Sequence, residues 1–368
     1  MARSKGTAVS KTKALVLMVV LSTVATGCTR FAWGGNWSGD FGNGTVTGAT
    51  APTAVGNGIA DVGVGFVHSC ALRLDGTVWC SGGTADGEDL SPVQAGTSSD
   101  WTRLSVGWVD NCAIDADREL WCWGFNENGS LGLGHTDPVA SPMRVGRDSD
   151  WSVVSVGGAH TCAIRTDETL WCWGDNAYGQ LGDGTTGSST VPAPIASEMA
   201  WRDVTTGSEH TCAIRVDGTL WCWGSDSTGA TGLGTTWSAT LTPTQVGVDT
   251  DWLIVDGRGY HTCGIRSDRS LWCWGYNLDG QIGDGSDTER LEPVRVGDDN
   301  DWRSVSTHGW NTCAIRTDNS LWCWGSNERG QVGDGTTTDR LVPTAIGQGQ
   351  AWWVVSVGAV STTALSLD

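Results

Sequence analysis

Apolar and polar residues alternate along this chain in short runs that Gly, Asp and Asn interrupt every few positions. Residues 151–185 show the unit: W-S-V-V-S-V-G-G-A-H-T-C-A-I-R-T-D-E-T-L-W-C-W-G-D-N-A-Y-G-Q-L-G-D-G-T. No stretch of it has helical period, so VVSVG, TCAIR and LWCWG are predicted to be short strands. Period two places Leu170 and Cys172 on one face of the third strand, and Trp171 and Trp173 on the other. Cys162 and Ile164 share a face of the second strand. The interval between Cys162 and Cys172 is centred on Asp167, and a three-residue hairpin loop there sets the two cysteines directly opposite each other.

The unit recurs. Cys-x9-Cys occurs six times: Cys70 with Cys80, Cys112 with Cys122, Cys162 with Cys172, Cys212 with Cys222, Cys263 with Cys273 and Cys313 with Cys323. Successive first cysteines are 42, 50, 50, 51 and 50 residues apart, and 50 more lead to Thr363 in VSVGAVSTTALSLD. The other half of that seventh unit is at the opposite end, where RFAWGGNWSGDFGNGT (30–45) matches LWCWGSNERGQVGDGT (321–336) in frame. Ala32 holds its second Cys position and Thr363 its first, so both partners of one bridge are absent together. A unit of about 40–50 residues with several short strands has the size of a propeller blade. The expected fold is all-β: a seven-bladed β-propeller closed by pairing of the N- and C-terminal strands, which removes the open ends. Trp at 101, 151, 201, 252, 302 and 352 falls in one register of the repeat, which marks core between blades rather than a site.

Six cross-strand disulfides within blades are expected from the register. Zinc is the rival reading, but its C-x2-C spacing is absent; buried thiols are the other. One blade departs from the pattern: after Cys80 the chain reads SGGTADGEDLSPVQAG, without the G-Q-L-G-D-G segment. An abbreviated outer strand is expected there, as a deletion or as a docking notch.

Residues 1–27 carry Arg3, Lys5, Lys11 and Lys13, then an apolar run from Ala14 to Leu21, then small residues up to Cys28. This reads as a secretory signal followed by one domain, 28–368. Val24-Ala25-Thr26-Gly27-Cys28 resembles a bacterial lipobox, with Cys28 as the lipidated first residue; ordinary signal cleavage is the alternative. Twelve of the 13 cysteines pair, and lipidation accounts for the odd one. Export also supplies the oxidising compartment that disulfides need. Four of the 22 basic residues and none of the 41 acids precede Cys28, leaving 18 arginines, no lysine and a net charge of −23. That charge repels phosphate backbones and excludes nucleic acid as a partner.

The pattern V-G-x-x-H-T-x-A-I…D-x-x-L-W-x-W-G-x-N-x-x-G-Q-L-G-D-G, as in 156–184, resembles the repeat of the regulator of chromosome condensation family from about residue 30 to 368. The resemblance implies a seven-bladed propeller closed by both termini and used as a protein-binding disc. Family members include a nuclear exchange factor for a small GTPase, a plant ultraviolet-B receptor and a secreted bacterial inhibitor of β-lactamases. An exported acidic chain has no access to a nuclear GTPase. The receptor's G-W-R-H-T loop is echoed only by Gly107-Trp108, followed here by Val109-Asp110-Asn111.

No nucleophile elbow, zinc-protease motif, P-loop or paired-carboxylate signature is present, and no cofactor is implied. His68, His160, His210 and His261 share one repeat position, and each is expected to bond its own blade's backbone. Acidic pairs recur before the Trp that opens a blade: Asp148 and Asp150, Asp249 and Asp251, and the group Asp298, Asp299 and Asp301. Such pairs can hold calcium, but solvated loops are the expected reading. The binding candidate is the G-x-x-H loop, where four blades carry an aromatic residue and others carry Gly, Ser or Ala: Phe66, Trp108, Tyr260 and Trp310. These residues are expected to form a face for an unidentified protein or glycan. The expected function is a non-catalytic binding propeller at the bacterial cell envelope, held by a lipid on Cys28. The alternatives are an enzyme inhibitor like the β-lactamase-inhibiting relative, a channel enzyme, and a structural envelope component.

Overall fold

The computed structural model describes residues 28–85, 87–236 and 238–367. Residues 1–27, expected to be a secretory signal, lie outside the described residues. Seven four-stranded antiparallel sheets form a closed ring. In blade 3 the strands run from the axis outward as Trp151–Val156, His160–Arg165, Leu170–Gly174 and Ser189–Ile195. Blades 1 to 6 open at residues 59, 101, 151, 201, 252 and 302. Blade 7 is composite: Trp352–Val357 and Ser361–Leu367 from one end of the chain, Cys28–Gly34 and Ala49–Asn57 from the other. Ala32 pairs with Thr363, the register the missing cysteines implied.

Disulfides join Cys70 to Cys80, Cys112 to Cys122, Cys162 to Cys172, Cys212 to Cys222, Cys263 to Cys273 and Cys313 to Cys323. This is the pairing that the hairpin register predicts, and it leaves neither zinc ligands nor free thiols at these positions. Each bridge links residues directly opposite on second and third strands, with Cα atoms 4.0–4.1 Å apart. Three residues, Thr166, Asp167 and Glu168, separate Arg165 from Thr169 in the blade 3 hairpin, and Arg165 N donates to Thr169 O at 3.0 Å.

The core lies between blades, not within them. A typical cluster joins one blade's cystine, Ile and Leu to the next blade's two tryptophans, as Cys162, Ile164, Leu170 and Cys172 meet Trp201 and Trp223. Cys222 meets Trp252 and Trp274 in the same way, and Cys273 meets Trp302 and Trp324. Cys122 meets Trp151 and Trp173. Flat indoles fill the wedge that opens between adjacent sheets and bury large apolar area. Near the axis a belt of hydroxyls ties neighbouring first strands together. Ser105, Ser155, Thr205, Ser306 and Ser356 accept the backbone N–H of Val156, Thr206, Gly257, Val357 and Val64 at 3.0–3.1 Å.

The interface between blades 7 and 1 is built differently. Blade 1 has Ile59 and Ser81 where other blades carry the paired tryptophans, and blade 7 has no cystine. Its apolar cluster is Cys28, Ile59, Val62, Ala71 and Leu365. Arg30 replaces the repeat Leu and is buried, donating to Ser69 Oγ at 2.8 Å and to Asp40 O at 3.4 Å. Burial lowers the Arg30 pKa to about 10 and raises that of Asp40, whose carboxylate also accepts from Ser361 Oγ.

The outer strand of blade 1 is not abbreviated: Gly87–Gln94 has eight residues and pairs with the third strand. What is missing is the loop before it, replaced by a tight reversal in which Thr84 pairs with Gly87.

Candidate functional site

The loops joining first to second strands lie at one end of the channel. They are linked by their own backbones: Phe66 N donates to Trp108 O at 2.9 Å, Trp108 N to Gly157 O at 3.1 Å, Gly158 N to Gly207 O at 3.0 Å and Ser208 N to Gly259 O at 3.1 Å. On this ring Trp108 reaches across the axis. Its indole stacks on Phe66 (centroids 5.8 Å apart, planes at 25°), meets the edge of Tyr260 at 6.1 Å and lies 6.1 Å from His308. Trp108 Nε1 donates to Arg258 O at 3.4 Å, and Arg258 Nη1 donates back to Val106 O at 3.5 Å. Blades 2 and 5 are thereby joined over the channel mouth. Phe66 is 39% exposed, and Trp108 and Tyr260 are half-buried, so the cluster presents ring surface to solvent while being held from below.

Three of the four expected aromatics, Phe66, Trp108 and Tyr260, are thus brought together. Trp310 is half-buried in blade 6, where its carbonyl accepts from Ser326 N at 2.9 Å; the ring that blade 6 contributes to the cluster is His308. Arg258 and His308 were overlooked in the sequence. Both stand where blades 1 to 4 and 7 carry the first Gly of the G-x-x-H loop, so the signal was a side chain replacing a repeat glycine.

Below the mouth, first strands bring ionisable groups into the channel. Asp61 is within electrostatic reach of Arg258 and Arg103, and Asp203 of Arg202, Asp256 and Arg103. Asp256 lies 3.9 Å from Arg258 and accepts from Thr307 Oγ1 at 3.2 Å. Burial pushes Asp61 up to about 6 and Asp203 up to about 7, and it raises Asp256. The folded state therefore holds a proton on Asp203 across a window, from about 4 to about 7, in which the unfolded chain has released it. That contribution to stability is present below the ordinary value of 3.8 and is lost as pH rises through about 7. Asp203→Asn is expected to lose less stability than the parent protein between about pH 4 and about pH 8, measured as urea midpoints. Parallel curves would show that Asp203 does not titrate there.

The repeat-position histidines bond the next blade, not their own. His160, His210 and His261 Nε2 lie 2.8, 2.9 and 2.7 Å from Thr211, Thr262 and Thr312 Oγ1, and His68 Nε2 lies 2.8 Å from Asn111 Oδ1. Burial lowers His160, His210 and His261 to about 3, 4 and 3, which keeps them neutral at ordinary pH. They are blade-to-blade ties.

The acidic pairs are used by arginine. Arg165 reaches Asp148 at 2.5 Å and Asp150 at 3.6 Å, and its guanidinium lies over Trp151 and Trp171 at 4.7 and 4.0 Å. Arg266 repeats this with Asp249, Asp251, Trp252 and Trp272, and Arg316 with Asp299, Asp301, Trp302 and Trp322. Recurrence in three blades makes these an architectural motif.

Cys28 takes no part in the six bridges. It opens the closing strand and is buried against Ile59, Val62, Ala71 and Leu365.

Two models of the regulator of chromosome condensation (RCC1) repeat match the chain, one at residues 117–164, 167–214 and 318–365, the other at 59–88, 151–180, 201–230, 257–281 and 303–331. A search of curated proteins found no match. Among solved structures, Prp20p from Saccharomyces cerevisiae, described with its binding properties to Gsp1p and histones, is similar with TM-score 0.83 and 18% identity, over 93% of this chain and 92% of that one. Human WBSCR16 is similar with TM-score 0.83 and 17% identity, over 93% and 99% of the two chains. At these identities the likeness carries the fold alone.

Proposed function

The chain belongs to the regulator of chromosome condensation repeat family, and we propose that it is a non-catalytic propeller that binds a protein partner on the channel-mouth face. The observation that carries this reading is the Phe66–Trp108–Tyr260 cluster, a partly exposed aromatic surface on a hydrogen-bonded backbone ring. Rigid aromatics bury large area at small entropic cost and dominate interfaces. The repeat itself supports a binding role over a packing one, because other blades hold Gly158, Ser208, Gly259, Gly309 or Ala359 at the position of Phe66 and Trp108 without loss of the ring.

The proposal extends to export and to a lipid on Cys28 at the bacterial envelope. Six cystines suit an oxidising compartment. A lipid on Cys28 would sit at the interface of blades 7 and 1, directly at the closing strand, so the propeller would rest on the bilayer. A small GTPase and nucleic acid are not among the proposed partners.

One experiment tests these points together. Mature protein is isolated from membranes of its source, its intact mass is measured, and it is used to capture envelope and secreted proteins beside a variant carrying Phe66→Ala and Trp108→Ala. The expected result is a mass increment on Cys28 and a discrete partner that the folded variant loses. A partner that is indifferent to the substitutions would remove the aromatic face, and an unmodified Cys28 would remove the anchor.

A second reading, an enzyme acting in the channel, draws on the raised pKa values of Asp61 and Asp203. It requires access past Trp108, so Trp108→Ala would raise turnover in that case, while a binding face would lose its partner.

A further inference from the structure

At five blade interfaces one loop carbonyl does the same task. Ser130, Gln180, Ala230, Gln281 and Gln331 lie in the loop between third and fourth strands. Each carbonyl accepts the indole N–H of the next blade's Trp173, Trp223, Trp274, Trp324 or Trp33 at 2.8–3.0 Å. Each also accepts the hydroxyl of Thr161, Thr211, Thr262, Thr312 or Thr362 at 2.7–2.9 Å. The next residue of the loop is buried (Leu131, Leu181, Thr231, Ile282 or Val332), and a glycine then crosses the indole. At Gly333, φ is +87° and a Cβ would come within 2.5 Å of Trp33 Nε1, so both the backbone and the space demand glycine.

Blade 1 lacks this loop. Its neighbour Trp123 stands in the same place on its third strand, and among the described residues no acceptor is bonded to its Nε1. The position of the threonines is taken by Asn111. The vacated space is a cleft of roughly 120 Å3, lined by Trp123, Asn111, His68, Cys80, Val109 and Val139. An indole N–H that opens on such a space is free to take a carbonyl acceptor.

We propose that this cleft receives a turn from a partner polypeptide, supplying in trans what the other blades supply in cis. The internal copies specify the ligand: a backbone carbonyl for Trp123 Nε1, an aliphatic side chain against the bridge of Cys70 and Cys80, then a glycine over the indole. Charge narrows it further. In blade 6, Arg329 of the loop lies over Trp37 of blade 7 at 4.5 Å, and blade 2 has exposed Glu127 in the place of Trp37. An arginine of the incoming turn would meet that carboxylate. The cleft has none of Phe66, Trp108 and Tyr260 in its lining, so the two proposals can fail independently.

The probe is a cyclised peptide of residues 326–338, SNERGQVGDGTTT. This loop is organised by its own Asn327, which accepts from Val332 N at 3.0 Å and donates to Thr336 O at 3.2 Å and Thr338 O at 3.0 Å. It is titrated into the full mature protein with 15N-labelled indoles, and the Trp123 resonance is assigned with Trp123→Phe. Saturable movement of that resonance is expected, with half-saturation below ~1 mM. Trp123→Phe keeps an aromatic ring but loses the donor, and calorimetric titration should show binding weakened about 3- to 10-fold. A chain with the missing loop inserted between Thr84 and Gly87 should not bind, since the cleft is then filled. No saturable movement would overturn the proposal, as would equal binding to the loop-restored chain. The latter comparison stands even if Trp123→Phe fails to fold.

Discussion

Trp33→Ala is expected to destabilise the protein by about 3–5 kcal/mol, the range for truncating a fully buried tryptophan. Trp33 is 0% exposed, packs on Trp352 at 6.1 Å and donates to Gln331 O at 2.9 Å across 298 residues of chain. It holds one face of the closing strand against blade 6, in a cluster with Cys313, Leu321, Cys323 and Val332. The other face meets blade 1 through the polar Arg30–Ser69 contact and a small apolar cluster without tryptophan. Loss of the indole therefore frees the strand at the interface least able to retain it. Trp223→Ala removes a tryptophan that is equally buried and should cost a similar amount, but it lies in mid-chain, where both flanking strands are continuous with the ring. Urea midpoints report the cost. Amide exchange should accelerate in 28–34 and 361–367 for Trp33→Ala and stay slow there for Trp223→Ala. Equal protection of the two segments in both variants would show that closure does not depend on Trp33.

Loss of a cystine ranks second. Cys162→Ala with Cys172→Ala is expected to cost about 2–3 kcal/mol, because each bridge closes a loop of about ten residues in the unfolded chain. Both sulfurs also pack against Trp201 and Trp223, so a cavity adds to the loss. The six bridges will not add, since each sits in a core shared by two blades. Complete reduction should lower the unfolding temperature by more than any single pair. Alkylation of denatured, unreduced protein should label one thiol at most; a second label would contradict the pairing. A double variant as stable as the parent would show that the bridge contributes nothing to the blade.

Blade number, disulfide pairing and the composite closing blade were legible in the chain for a definite reason. Strand side chains alternate with period two, so an even cysteine interval about a hairpin fixes which residues face each other, and fifty-residue spacing counts the hairpins. Some local signals were present but misread. The short segment after Cys80 reads as an abbreviated outer strand, because sequence length does not show whether a strand or a loop has been shortened. His160 was assigned to its own blade's backbone, whereas its partner, Thr211, is one repeat away. The acids before each blade read as solvated loops; in space Arg165 lies between two of these carboxylates and two indoles.

The channel mouth shows the limit most clearly. Aromatic residues in the G-x-x-H loops identified Phe66, Trp108 and Tyr260 as candidates, but equivalence of loops cannot say which side chains cross the axis. Trp108 meets Arg258 after 150 residues because ring closure brings blades 2 and 5 to face each other. Residue type and spacing along the chain determined the strands, their pairing, the cystines and the number of blades, since each of these depends on neighbours within one repeat. Closure of the ring decided the rest: the barred mouth, the half-buried carboxylates beneath it, the Arg30 seam and the open cleft beside Trp123. These depend on distances between repeats, which exist only once seven sheets share an axis.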